Sequence, residues 1–81
     1  MYSKINEKIE VLCAYVKNKS LPLYFRWGEK KYKVDKVNLV HSMRRGRDKL
    51  YFYSVSNKDN FFKLCFDTEK NQWMLVERFC Q

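Results

Sequence analysis

From Leu21 onward, apolar and polar positions alternate with a period of two, the signature of strands that bury one face. Leu23, Phe25 and Trp27 alternate with Tyr24 and Arg26, and Tyr32 and Val34 resume the alternation after Gly28-Glu29. Glycine accepts a positive φ without steric cost, so Gly28 predicts a tight turn between two strands. Val37, Leu39 and His41 carry the pattern on, displaced by one position. That phase break near Asp35-Lys36 predicts a β-bulge or a bend. Leu50–Ser56, Phe61–Phe66 and Trp73–Val76 read as further strands. Turn-forming clusters separate them at Asn57–Asn60 and Asp67–Asn71, and Met43–Lys49 reads as another loop.

The first residues admit two readings. Ile5, Ile9, Leu12 and Val16 fall at helical spacing, with Ser3 as a cap. Ile9, Val11, Cys13 and Tyr15 also alternate as a strand would. The β-branched and aromatic content favours a strand over Ile9–Lys17, after a polar, mobile lead over residues 1–8. Asn18–Ser20 then reads as a loop. Pro22 marks the entry to the next strand, where its missing N–H does least harm. The expected fold is all-β: a small antiparallel meander of five or six strands, curled into a partly open barrel. The alternative is α+β, with a helix over residues 3–17 packed on the sheet.

Composition narrows this picture. A chain of 81 residues has room for one core, so residues 1–81 are expected to form a single domain. The share of hydrophobic residues, 46%, is high enough to argue against disorder. Phe25, Trp27, Tyr32, Phe62, Phe66 and Trp73 are the expected interior. Cys13, Cys65 and Cys80 are odd in number and form no CxxC pair, which argues against a disulfide scaffold and a zinc site. The N-terminus, MYSKINEKIE, is charged where a signal peptide needs an apolar core. No run approaches the roughly 20 apolar residues of a membrane span. A cytoplasmic protein without membrane partner, metal or cofactor is expected.

Enzyme chemistry is hard to assemble from these residues. His41 is the only histidine, and a pair with Cys65, Cys13 or Ser42 would have to form in space. Gly28 and Gly46 are the only glycines, too few for a phosphate loop. A non-enzymatic protein is expected.

Charge points elsewhere. Lys and Arg number 17 against 9 Asp and Glu, a formal net charge of +8 that favours polyanionic partners. Arg44, Arg45 and Arg47 surround Gly46 in the expected loop, and their forked donors suit phosphate oxygens. Arg26, Lys31 and Lys33 are expected on the outer face of the Leu21–Val40 hairpin with Tyr24. Tyr51 follows the arginine loop. A basic groove with exposed rings is the chemistry of single-strand binding. These residues predict a nucleic-acid-binding module that grips phosphates and stacks a base on Tyr24 or Tyr51. The alternative is a protein-interaction module or homodimer, using an exposed strand edge or an aromatic patch.

Laid out in order, the strands show a recurrent theme: IEV, then PLYFRW, a Gly turn, YKVDKV, LYFYSV, FFKLCFD and a late QWMLVE. This resembles a group of small uncharacterised bacterial all-β proteins sharing P-x-x-F-x-W, a Gly turn, Tyr-x-Val and a terminal Trp strand. Similar domains occur alone and as extensions of proteins related to Y-family DNA polymerases. The resemblance spans residues 9–79 and implies an all-β fold, a strand over residues 9–16 and a link to DNA transactions. It implies no activity and carries no functional residues. After Val37 this chain has Leu39 and His41 where the theme has a tryptophan.

Overall fold

Seven strands make one antiparallel sheet in the computed structural model, which describes residues 2–17 and 19–80. They are β1 (Tyr2–Val16), β2 (Lys19–Trp27), β3 (Lys30–Lys33), β4 (Lys36–Arg45), β5 (Asp48–Asn57), β6 (Asn60–Asp67) and β7 (Gln72–Cys80). Their order across the sheet is β3-β2-β1-β7-β6-β5-β4. Two meanders, β1–β3 and β4–β7, therefore meet where the first strand pairs with the last. The all-β expectation holds. Among the described residues no helix forms, so none is long and apolar enough to cross a membrane.

The alternative helix over residues 3–17 is overturned by pairing. β1 has β2 on one side and β7 on the other, and both ladders use its backbone groups. Such tertiary pairing overrides the helical spacing of Ile5, Ile9, Leu12 and Val16. The strand also starts at Tyr2, earlier than the expected Ile9. Tyr2, Ser3 and Lys4 lie opposite Phe79, Arg78 and Glu77, so residues 2–8 belong to the sheet despite their polarity. A bulge interrupts β1 between Lys4 and Glu7, and Asn6 takes a φ of 55° there. Asparagine is among the few side chains that adopt this conformation readily. The loop expected at Asn18–Ser20 is shorter, with Lys19 and Ser20 inside β2; Asn18 lies outside the described residues.

Seven strands replace the expected five or six because the return strand of the first hairpin is divided. β3 pairs with β2 and ends at Lys33, and β4 pairs with β5 from Lys36. The phase break in the sequence marks this change of partner. Val34 N donates to Leu23 O at 2.8 Å, whereas Asp35 N donates to Ser56 O at 2.9 Å. Asn57 Nδ2 donates to Lys33 O, and Lys58 N donates to Asp35 Oδ2 at 2.9 Å, pinning the corner. β3 and β4 are the two edges of the sheet, joined by Val34-Asp35 but not paired with each other. The sheet thus curls towards a barrel without closing.

Met43–Lys49 is also not the expected loop. β4 runs through Arg45 and β5 begins at Asp48, so only Gly46 and Arg47 form the turn. Gly46 has a φ of 62° at the first turn position, as does Gly28 at 63°. A positive φ there alone is the type II′ pattern, whose twist matches paired strands and so lets them run up to the turn.

The concave face holds the core: Phe25 from β2, Tyr53 and Val55 from β5, Phe62 and Leu64 from β6, and Leu75 from β7. Phe25 stacks on Tyr32 at 5.1 Å between centroids and meets the edge of Phe62 at 5.0 Å. The expected core position Leu23 is exposed instead. β2 carries one extra residue opposite Leu12/Cys13, so the alternation slips and Pro22 is buried in its place. Leu64→Ala, at a site 0% exposed, is expected to cost about 2–5 kcal/mol in urea denaturation. Leu39→Ala, at 59% exposure, should stay within about 0.5 kcal/mol of the parent.

Candidate nucleic-acid interface

Antiparallel order brings three chain segments to one end of the molecule: the start of β2, the Gly46-Arg47 turn and the Thr68–Asn71 turn. Two hydrogen bonds tie the turns together. Thr68 N and Thr68 Oγ1 both donate to Lys49 O, at 3.2 and 2.7 Å. Within its own turn, Asp67 Oδ1 accepts from Glu69 N at 3.0 Å and Lys70 N at 3.2 Å. The short polar side chain thus satisfies backbone groups that the reversal leaves unpaired.

Below these turns the unclosed sheet leaves a groove of about 910 Å³ between the β1–β2 and β4–β5 walls. That volume falls in the range of small-molecule and nucleobase pockets, roughly 300–1,000 Å³. Four rings line it: Tyr51, Tyr53, Phe66 and Trp73. Trp73 packs on Tyr53 at 5.3 Å and on Phe66 at 4.9 Å between centroids. Leu21, Val37 and Val40 make the walls apolar, and Lys19 reaches in from β2. Lys49 Nζ sits 5.1 Å from the Tyr51 ring centroid, a cation–π contact. Arg44 lies opposite Lys49 in the β4–β5 register. Alternation puts Arg44 on the same face as Val40, hence on the groove side. The groove is aromatic inside and cationic at its open end.

The residues expected to bind nucleic acid are divided by the structure. Tyr51 lines the groove, and Arg44 lies beyond its lining on the same face of the sheet. Arg45 faces Asp48 on the opposite side of the sheet, and Arg47 occupies the turn between them. Arg44 and Arg45 are consecutive strand residues, so pleating separates them. Tyr24, Arg26, Lys31 and Lys33 do share the outer face of β2–β3, as the alternation predicts. Three of them are already engaged, with each other or with β1. Lys31 Nζ is 4.7 Å from the Tyr24 centroid, and Arg26 Nη2 meets Glu10 Oε1 at 3.3 Å. The groove adds Lys19, Lys49, Tyr53, Phe66 and Trp73. Lys49 was within reach of sequence reasoning, because it precedes Tyr51 by two and so shares its face. Nothing in the sequence marks Lys19.

The His41 imidazole is set apart from the Cys65 thiol. His41 stacks on Phe52 at 5.0 Å, and Phe52 separates it from Cys65 in the register. Two strand spacings, about 9–10 Å, lie between the His41 and Cys65 positions. Cys13 lines the groove on the other face. Among the described residues, no three His, Cys, Asp or Glu side chains gather as a metal site would require. No family model, curated protein or solved structure matches the chain. The functional reading therefore rests on the groove itself.

Burial raises the pKa of several groups in the sheet, Cys65 and Tyr53 among them. Cys65 is held above its ordinary 9.0, chiefly by burial and then by Asp67, against a smaller pull from Arg45 and Lys63. Tyr53 is held above 10.0, by burial first and then by Cys13 and Tyr51. An acid with a raised pKa keeps its proton to higher pH in the folded chain than in the unfolded one. Its contribution to stability is full below the unfolded value and is lost as pH rises through the folded one. Urea midpoints are therefore expected to fall as pH rises above about 9, and Tyr53→Phe should flatten the part of that fall above about pH 10.

Proposed function

We propose that this protein binds single-stranded nucleic acid in the groove, with bases against the aromatic lining and phosphates at the cationic end. The observation that carries the reading is the groove itself, with four rings in one concavity and Lys19, Lys49 and Arg44 about its opening. Every base has a π-face, so stacking on rings is tolerant of sequence. A duplex keeps its bases stacked on one another, and this favours a single strand. The net charge of +8 draws any polyanion towards the surface. A cytoplasmic setting suits such a partner. Arg47, at the tip of the β4–β5 turn, extends the cationic end outward. Tyr24, Arg26, Lys31 and Lys33 form a second basic face on β2–β3, and a longer strand reaches it only by wrapping around the sheet.

The test is fluorescence anisotropy with labelled oligothymidylate and oligouridylate. If three cations each neutralise one phosphate, raising salt from about 50 to about 200 mM should weaken binding roughly twentyfold. Tyr51→Ala should cost about 1–3 kcal/mol of binding, read at a temperature where circular dichroism shows the variant folded, since Tyr51 also packs against the core. Absence of binding at low salt, or affinity that ignores salt, would sink the proposal.

A further inference from the structure

The face of the sheet turned away from the groove is too apolar to be a simple solvated surface. An antiparallel sheet with one wet face alternates cleanly between apolar and polar residues. β5 and β6 do not: Phe52 and Phe61 lie on the outer side, interleaved with inward Tyr53, Phe62 and Leu64. Register aligns Tyr2, Phe79 and Phe61 in one row across β1, β7 and β6. These rings are 55%, 44% and 40% exposed. The neighbouring row runs Lys4, Glu77, Lys63, a carboxylate between two ammonium groups. A shallow depression of about 300 Å³ links the two rows and reaches Leu39.

We propose that a second copy of this chain covers this face, sheet against sheet, about a two-fold axis. Two observations select a copy as the occupant. The first is charge. Basic residues predominate over the chain, 17 against 9, and would repel a copy at most orientations. Here the Lys–Glu–Lys row is its own complement. A two-fold axis lying along the strands, midway between β6 and β7, sets Glu77 of each copy against Lys63 of the other, and an isologous interface must be self-complementary in this way. The second is the row of rings: the same axis lays Phe79 of each copy against Phe61 of the other, covering side chains that are 44% and 40% exposed in one chain alone. The groove opens on the other face, so both grooves stay accessible in the dimer, and the inference stands apart from the nucleic-acid reading.

The test is sedimentation velocity with light scattering on protein freed of nucleic acid, over about 1–200 µM, since dimerisation depends on protomer concentration. A species of twice the 10.0 kDa chain mass is expected at the upper end. Phe61→Glu, at an exposed position, should leave the circular dichroism spectrum intact and weaken association at least about tenfold. Glu77→Lys should do the same by leaving only cations in the row. The double variant Glu77→Lys with Lys63→Glu restores complementarity and should dimerise again. A monomer at every concentration overturns the proposal. So does a dimer indifferent to both single substitutions, or a double variant that stays monomeric.

Discussion

The ladder between β1 and β7 is what makes one sheet out of two. Without it, β1–β3 is a three-stranded sheet and β4–β7 a four-stranded one, each with an apolar face in water. Either sheet gains stability by burying that face, since apolar area removed from water is the main favourable term in folding. The ladder supplies the second layer for both halves at once. It carries Phe25 of the first meander onto Phe62 of the second, with Leu64 and Leu75 beneath. Its contacts join residues as far apart as Tyr2 and Phe79. The entropy of closing so long a loop must be spent before the core repays it, which makes folding of such a topology slow.

Bulges convert that sheet into two chemically different faces. They lie at Asn6 in β1, Leu23 in β2, Asn38 in β4 and Val76 in β7, where the registers slip by a residue. Each sharpens the local twist and lets the sheet wrap its core. The same bending keeps β2 and β4 apart beyond Val34-Asp35, so a groove is left where a closed barrel would have packed side chains. Its aromatic lining is an extension of the core. Phe66 and Trp73 belong to the cluster about Leu64 and also face the opening.

Period-two alternation made Phe25, Trp27, Tyr32, Phe62 and Trp73 legible as inward residues, because burial on one face imposes that period directly. Turns at Gly28, Asn57–Asn60 and Asp67–Asn71 were legible for an equally local reason: few residues tolerate the backbone angles they need. What escaped was non-local. Tyr2–Lys8 are polar and gave no strand signal, since their order comes from pairing with a strand some seventy residues away. Leu23 changed places with Pro22 because one inserted residue reverses every face beyond it. Arg44 and Arg45 looked like one cluster until a tight turn drew both into a strand, and pleating then sent them to opposite sides. The groove was invisible because Tyr53, Phe66 and Trp73 read as core, and whether a core ring meets solvent depends on closure of the sheet.

The groove is fastened at the Val34-Asp35 corner. At that corner the two walls of the groove share a continuous chain, fastened further by Asn57 on Lys33 O and by Asp35 on Lys58 N. From there to Lys19 and Arg44 no ladder spans the gap. The two walls are thus tied at one end, and on the function proposed above a strand entering from the untied end would meet charge first and rings after.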